Sequence, residues 1–127
     1  MSLSDHLLRV LLDTSVLVAS FRSRSGASRI ILQLAFEHKF EMAASNAVFL
    51  EYEDVLQREF QREAHGRSVA EVDLFLVALS KIIHPVELYF QWRPQLTDPN
   101  DEMILEAAIN GRVDAIVTHN LRILNRR

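Results

Sequence analysis

An α/β fold built on a parallel sheet is what this sequence predicts, and three observations predict it. The run from Leu7 to Leu12 is nearly continuous in apolar character and ends on Asp13, which suits a strand covered on both faces. A second such run, Val113 to Thr118, lies near the other end of the chain. Between them, segments with helical periodicity alternate with short strand candidates, the arrangement of crossover connections between parallel strands.

At 127 residues the chain suits a single domain, 1–127, with residues 1–6 as a flexible lead. Its 49% hydrophobic and 24% charged residues describe a globular protein rather than a disordered one. It has no cysteine, so nothing asks for an oxidising compartment. Its apolar runs fall short of a membrane span, and the start lacks the basic-then-apolar layout of a signal peptide, so a cytoplasmic protein with no membrane partner is expected. A formal charge of -3 excludes a protein that holds nucleic acid through overall positive charge. It leaves room for one that brings acids to a metal and keeps basic groups at a rim. Two arginine clusters, Arg22, Arg24 and Arg29, then Arg58, Arg62 and Arg67, read as solvated helix faces or as phosphate contacts.

The first strand places Asp13 at its carboxyl end, the edge of an open α/β sheet where ligands bind. Thr14 or Ser15 can cap a helix through Phe21, which sets Asp13 beside a helix N-terminus. Ser23 to Gly26 reads as a turn, and Ala27 to Glu37 as a helix with Ile30, Ile31, Leu34 and Ala35 inward. Gly26 alone is no phosphate loop. Phe40 to Ala44 is a strand candidate. Ser45 then caps a helix whose inward face carries Val48, Tyr52, Val55, Leu56 and Phe60. Glu51 lies at the margin of that stripe, able to reach an interior site or to pair with Arg58, whereas Glu53 and Asp54 turn to solvent.

Gln61 to Arg67, with Gly66, reads as a loop. A helix from Val69 to Ile83 follows, capped by Ser68, with Val72, Leu76 and Leu79 inward. His84 to Leu96, bracketed by Pro85 and Pro94, reads as an edge strand or an extended connection. Asp98 is an N-cap, Pro99 fits the first helical position, and Asp101 falls at the third. The helical period puts Asp101 on one stripe with Ile104, Leu105 and Ala108, so a carboxylate is aimed inward. A buried charge is costly without a cation, a donor cluster or a metal beside it. Gly111 is read as the left-handed stop of this helix. Asn120 follows the last strand, on the same sheet edge as Asp13 if the strands are parallel, and Asp114 at the other end reads as a turn residue.

Asp13, Glu51, Asp101 and Asn120 at one edge describe an oxygen-rich pocket, and hard oxygen ligands suit Mg²⁺ or Mn²⁺. Such a site suits metal-assisted attack of water on a phosphodiester, with no nucleophilic side chain.

Leu12-Asp13-Thr14-Ser15-Val16-Leu17, Ser45 to Leu56, Asp98-Pro99-Asn100-Asp101 through Ala108, and Asp114 to Asn120 resemble, in order, the four motifs of the PIN domain nucleases. The likeness is greatest to bacterial members classed as toxin components of toxin-antitoxin systems. The resemblance implies a three-layer α/β/α sandwich with a central parallel sheet. It further implies divalent-metal-dependent cleavage of single-stranded RNA, frequent homodimers, and neutralisation by a small antitoxin protein. Asp13, Glu51 and Asp101 match the family's metal-binding acids. Thr14, Ser15 and Thr118 match polar positions that orient them, and Asp98 remains mainly a cap.

Two departures stand out. Asn120 occupies the position where many members have a fourth acid, and the chain ends soon after that strand without the family's usual acid in the turn near Ile123. They support a second reading, a catalytically weak or inactive PIN-like module that binds a protein partner or RNA. A third, with Asp13 as a phosphoryl acceptor, calls for a second acid beside it or a late lysine, and the lysines are Lys39 and Lys81.

Overall fold

The computed structural model describes residues 7–23, 25–88 and 99–119. Strand β1 (Arg9–Leu12) leads into α1 (Thr14–Arg22) and α2 (Ala27–Phe36); β2 (Glu41–Ser45) leads into α3 (Asn46–Leu56), α4 (Glu59–His65) and α5 (Val69–Ile82). Strand β3 (His84–Val86), helix α6 (Pro99–Gly111) and strand β4 (Ala115–Val117) complete the described elements. The four strands form one parallel sheet in the order β3-β2-β1-β4. Successive strand residues face opposite sides, yet Val10, Leu11, Leu12 and Met42 to Ser45 are all buried, so both faces of the two central strands are covered. This is an α/β fold of the layered kind.

The strand order sets the position of any site. From β1 the chain moves outward through β2 to β3, then returns across the sheet to place β4 on the other side of β1. The reversal creates a crevice at the carboxyl ends of β1 and β4, where flanking loops diverge and leave room for a ligand. At the amino ends the sheet is tied shut. Arg9 N donates to Asp114 Oδ2 at 2.7 Å, and Glu41 Oε1 lies 3.2 Å from Arg9 Nε and 2.8 Å from His84 Nδ1. Asp114 is therefore a turn residue on the edge away from the crevice.

The capping residues act largely as their positions suggest. Ser45 accepts from Val48 N at 3.2 Å, and Ser68 with Glu71 forms a reciprocal capping box. The Glu71 carboxyl is held below its ordinary pKa, first by the hydrogen bond from the Ser68 backbone and then by the Ser68 hydroxyl.

Several sequence expectations give way. In α2 the inward residues are Ser28, Leu32 and Ala35, whereas Ile30 is 54% exposed and Leu34 borders on exposed. Apolar residues occupy both sides of this helix, so periodicity alone did not say which side packs. Phe60 does not continue the face of α3: the helix ends at Leu56, and Phe60 is exposed in α4. The segment read as a loop is mostly this short helix, closed by Gly66 at φ 76°. Among the described residues His84–Val86 is an edge strand; the aromatic segment after Leu88 lies outside them. β4 is partly exposed, ends the sheet among the described residues and is shorter than the buried strand expected. No helix among the described residues is long and apolar enough to cross a membrane.

Gly111 is not the left-handed stop; Arg112 takes that conformation, at φ 51°. The glycine serves close packing instead. A Cβ there would lie 2.7 Å from Val86 Cγ2, so α6 approaches β3 more closely than a side chain allows. Gly111→Ala is expected to cost about 1–3 kcal/mol through overpacking, against up to about 1 kcal/mol gained in helix propensity. The check is a lower urea midpoint with an unchanged m value; a midpoint equal to or above the parent's contradicts the packing account.

Candidate active site

Asp13 closes β1, and its N–H continues the sheet ladder by donating to Val117 O at 2.9 Å. It stands at the N-cap position of α1, with extended backbone, but its side chain makes no capping bond. The expected cap from Thr14 or Ser15 is replaced by a different arrangement. Ser15 Oγ and Thr118 Oγ1 both donate to Asp13 Oδ2, at 2.7 and 2.8 Å. Two donors on one oxygen fix the plane of the carboxylate and leave Oδ1 without a hydrogen bond among the described residues. Thr118 can do this because Leu12 and Val117 are register partners, which brings the next residue of each strand together. Ser15 Oγ also accepts from His119 N at 3.1 Å, tying the start of α1 to the end of β4. Thr14 lines the same cavity without a hydrogen bond to Asp13.

Behind Asp13 lies Tyr52, fully buried, whose phenol donates to Leu12 O. Burial first, and the negative charge of Asp13 second, push its pKa up, so Tyr52 stays a protonated donor. Helix α3 begins where β2 ends, at the same sheet edge as Asp13, and carries Glu51 in the residue before Tyr52. Glu51 is half-buried.

Asp101 is the most buried carboxylate among the described residues, at 3% exposure. It sits in the first turn of α6, one turn before buried Ile104 and two before Ala107. The N-terminal end of the helix dipole favours its ionised form. The inward stripe is thus Asp101, Ile104 and Ala107, with Leu105 and Ala108 at its half-buried margins.

Asp13, Glu51 and Asp101 line one cavity of about 500 Å³, together with Thr14 and Ser15. Asn120 and Asp98 lie outside the described residues. Three further polar side chains line the cavity that sequence reasoning left without a place in the site: Arg22, Arg58 and His119. Helical spacing contained the signal for one of them: Ser15, Val18, Ala19 and Arg22 share one face of α1, whereas Arg58 lies beyond the end of α3, at the N-cap of α4. Arg22 is aimed by Gln61, whose buried Oε1 accepts from both Nε and Nη2, at 3.2 and 2.8 Å. Arg58 pairs with Asp54 at 2.6 Å, a largely solvated contact that leaves the guanidinium at the rim. His119 Nε2 lies 2.8 Å from Ser28 Oγ, which explains why a serine occupies the inward face of α2.

The carboxylate and hydroxyl donors are hard oxygen groups, and the cavity holds no thiol, a set that fits Mg²⁺ or Mn²⁺ rather than a soft metal. Among the described residues no three acid or histidine side chains enclose an ion by themselves. The acids line the cavity together, and a hard cation held there would keep several of its waters. With Arg22 and Arg58 beside the acids, the arrangement can receive an anionic ester next to a cation.

A family model described as PIN domain matches residues 9–122. A search of curated proteins finds no match.

Proposed function

Because the chain belongs to the PIN domain family, whose members are generally nucleases that use divalent metals, we propose that it is a Mg²⁺- or Mn²⁺-dependent endoribonuclease acting on single-stranded RNA. The observation that carries the reading is the convergence of Asp13, Glu51 and Asp101 on one cavity at the carboxyl edge of β1 and β4.

Asp13, Glu51 and Asp101 would hold the cation. When bound, the cation supplies Lewis acidity and lowers the pKa of water for attack on phosphorus. The chain's own groups do the rest. Ser15 and Thr118 keep the Asp13 carboxylate from rotating, and Tyr52 supports the strand end beneath it. Arg22 and Arg58 offer planar forks to the non-bridging phosphate oxygens, which orients the scissile ester and offsets its charge. The partners that accompany this reading are single-stranded RNA, an antitoxin protein that covers the cavity, and a second copy of the chain. The antitoxin and the toxin role rest on the likeness of the four sequence motifs to bacterial toxin components.

The test is incubation of the metal-stripped protein with a single-stranded RNA, with Mn²⁺ or Mg²⁺ and with excess chelator. Internal cleavage that depends on added metal is expected. Cleavage undiminished by chelator sinks the metal reading. A folded protein inert with either metal favours the weak or inactive module, to which Asn120 in place of an acid points.

A further inference from the structure

A second cavity, of about 300 Å³, flanks the same turn of α1 as the acidic one: Val18, Ala19 and Arg22 face the acids, whereas Ser20 and Phe21 face this second space. Its walls are aromatic. Phe75 packs edge-on against Phe21 at 4.7 Å and against Phe36 at 6.0 Å between ring centres. Among the described residues its charged groups are Arg29 and Arg67, and no carboxylate lines it. Arg67 lies over the Phe21 ring at 4.4 Å and donates through Nη1 to Phe21 O at 3.1 Å, while Arg29 Nη1 reaches Ser20 O at 3.4 Å.

Capping the last carbonyls of α1 accounts for one N–H of each guanidinium. Each carries five, and neither arginine is in an ion pair among the described residues, although Glu71 feels the charge of Arg67 from outside the cavity. Two cations beside aromatic walls, with no carboxylate lining the cavity among the described residues, suit a ligand that is both anionic and planar. A nucleotide meets both demands, with its phosphate on the guanidiniums and its base against the rings.

We propose that this cavity is a second subsite for the RNA strand, holding a nucleotide about one helix diameter, on the order of 10 Å, from the acids. The inference rests on the ribonuclease reading. It differs from that reading in one respect that can be measured. The acidic cavity repels phosphate unless a cation is present, whereas the arginine-aromatic subsite binds RNA without metal.

The test is fluorescence anisotropy of a labelled single-stranded oligoadenylate in excess chelator. The parent is set beside Arg29→Ala and Gln33→Glu. Gln33 also lines the cavity, and its side-chain amide donates to Glu37 at the exposed surface, so the charge is introduced without disturbing the core. The oligoadenylate is expected to bind the parent, and its affinity to fall roughly tenfold in each variant, with the salt slope reduced by about 1 in Arg29→Ala. Undiminished affinity in both variants overturns the subsite, as does a parent that cleaves RNA with metal but does not bind the oligoadenylate without it; the ribonuclease reading survives either result. A parent that neither cleaves nor binds RNA overturns both. Binding of an acidic peptide through Arg29, with RNA binding unchanged in the variants, assigns the cavity to a protein partner instead.

Discussion

Asp101→Asn is expected to lower cleavage of single-stranded RNA by about three orders of magnitude, measured as kcat/KM at saturating Mn²⁺. The magnitude follows from loss of a charged ligand to a cation that contributes several kcal/mol to the transition state, each 1.4 kcal/mol being about tenfold in rate. Asparagine has nearly the same shape as aspartate, and Asp101 packs in the row of Ile104 and Ala107, so the fold should persist. Replacing a buried carboxylate by a neutral amide also removes a desolvation cost. Melting in chelator therefore separates loss of chemistry from loss of structure. Mn²⁺ should raise the melting temperature of the parent, because a ligand at about 100 times its Kd stabilises by about 2.7 kcal/mol, and should raise that of the variant less. Cleavage by Asp101→Asn at the parental rate removes Asp101 from the metal site.

Thr118→Val carries the second-largest expected effect, a loss of about 10–100-fold in Mn²⁺ affinity or in cleavage at limiting metal. Thr118 is placed to act on the reaction through Asp13. Its hydroxyl is one of two that meet at Oδ2, and valine keeps the shape while deleting the donor. Ser15 still holds the same oxygen, so the carboxylate should become less well oriented rather than released. Raising Mn²⁺ should recover much of the cleavage, a rescue that a general loss of stability does not produce. Equal metal affinity in parent and variant shows that the hydrogen bond from β4 does not position Asp13 for metal.

The readable parts of the fold were those encoded within a turn or two of chain. Ser45 and Ser68 precede helices that start where their hydroxyls can accept an N–H, and Val72, Leu76 and Leu79 share a face because their spacing leaves one apolar side. Helix α2 shows where this reasoning fails. Ile30 and Leu34 look inward by hydropathy, but Ser28 occupies the packed side because it meets His119, far away in sequence. Gly111 is similar: a glycine at a helix end suggests a left-handed stop, whereas its use is the approach of α6 to Val86.

The sequence by itself determined which acids stand at element ends and which way the helical ones point: Asp13 after an apolar strand, Glu51 at the edge of an apolar stripe, Asp101 inside one. These are consequences of local periodicity and capping, which act over a few residues. Only the tertiary structure decided what each acid meets. Strand order places β4 beside β1, and so brings Thr118 to Asp13 across 105 positions of chain. The turn of α1 likewise puts acids on one side and an arginine-aromatic cavity on the other. Such contacts depend on how whole elements pack, and no short window of sequence records that.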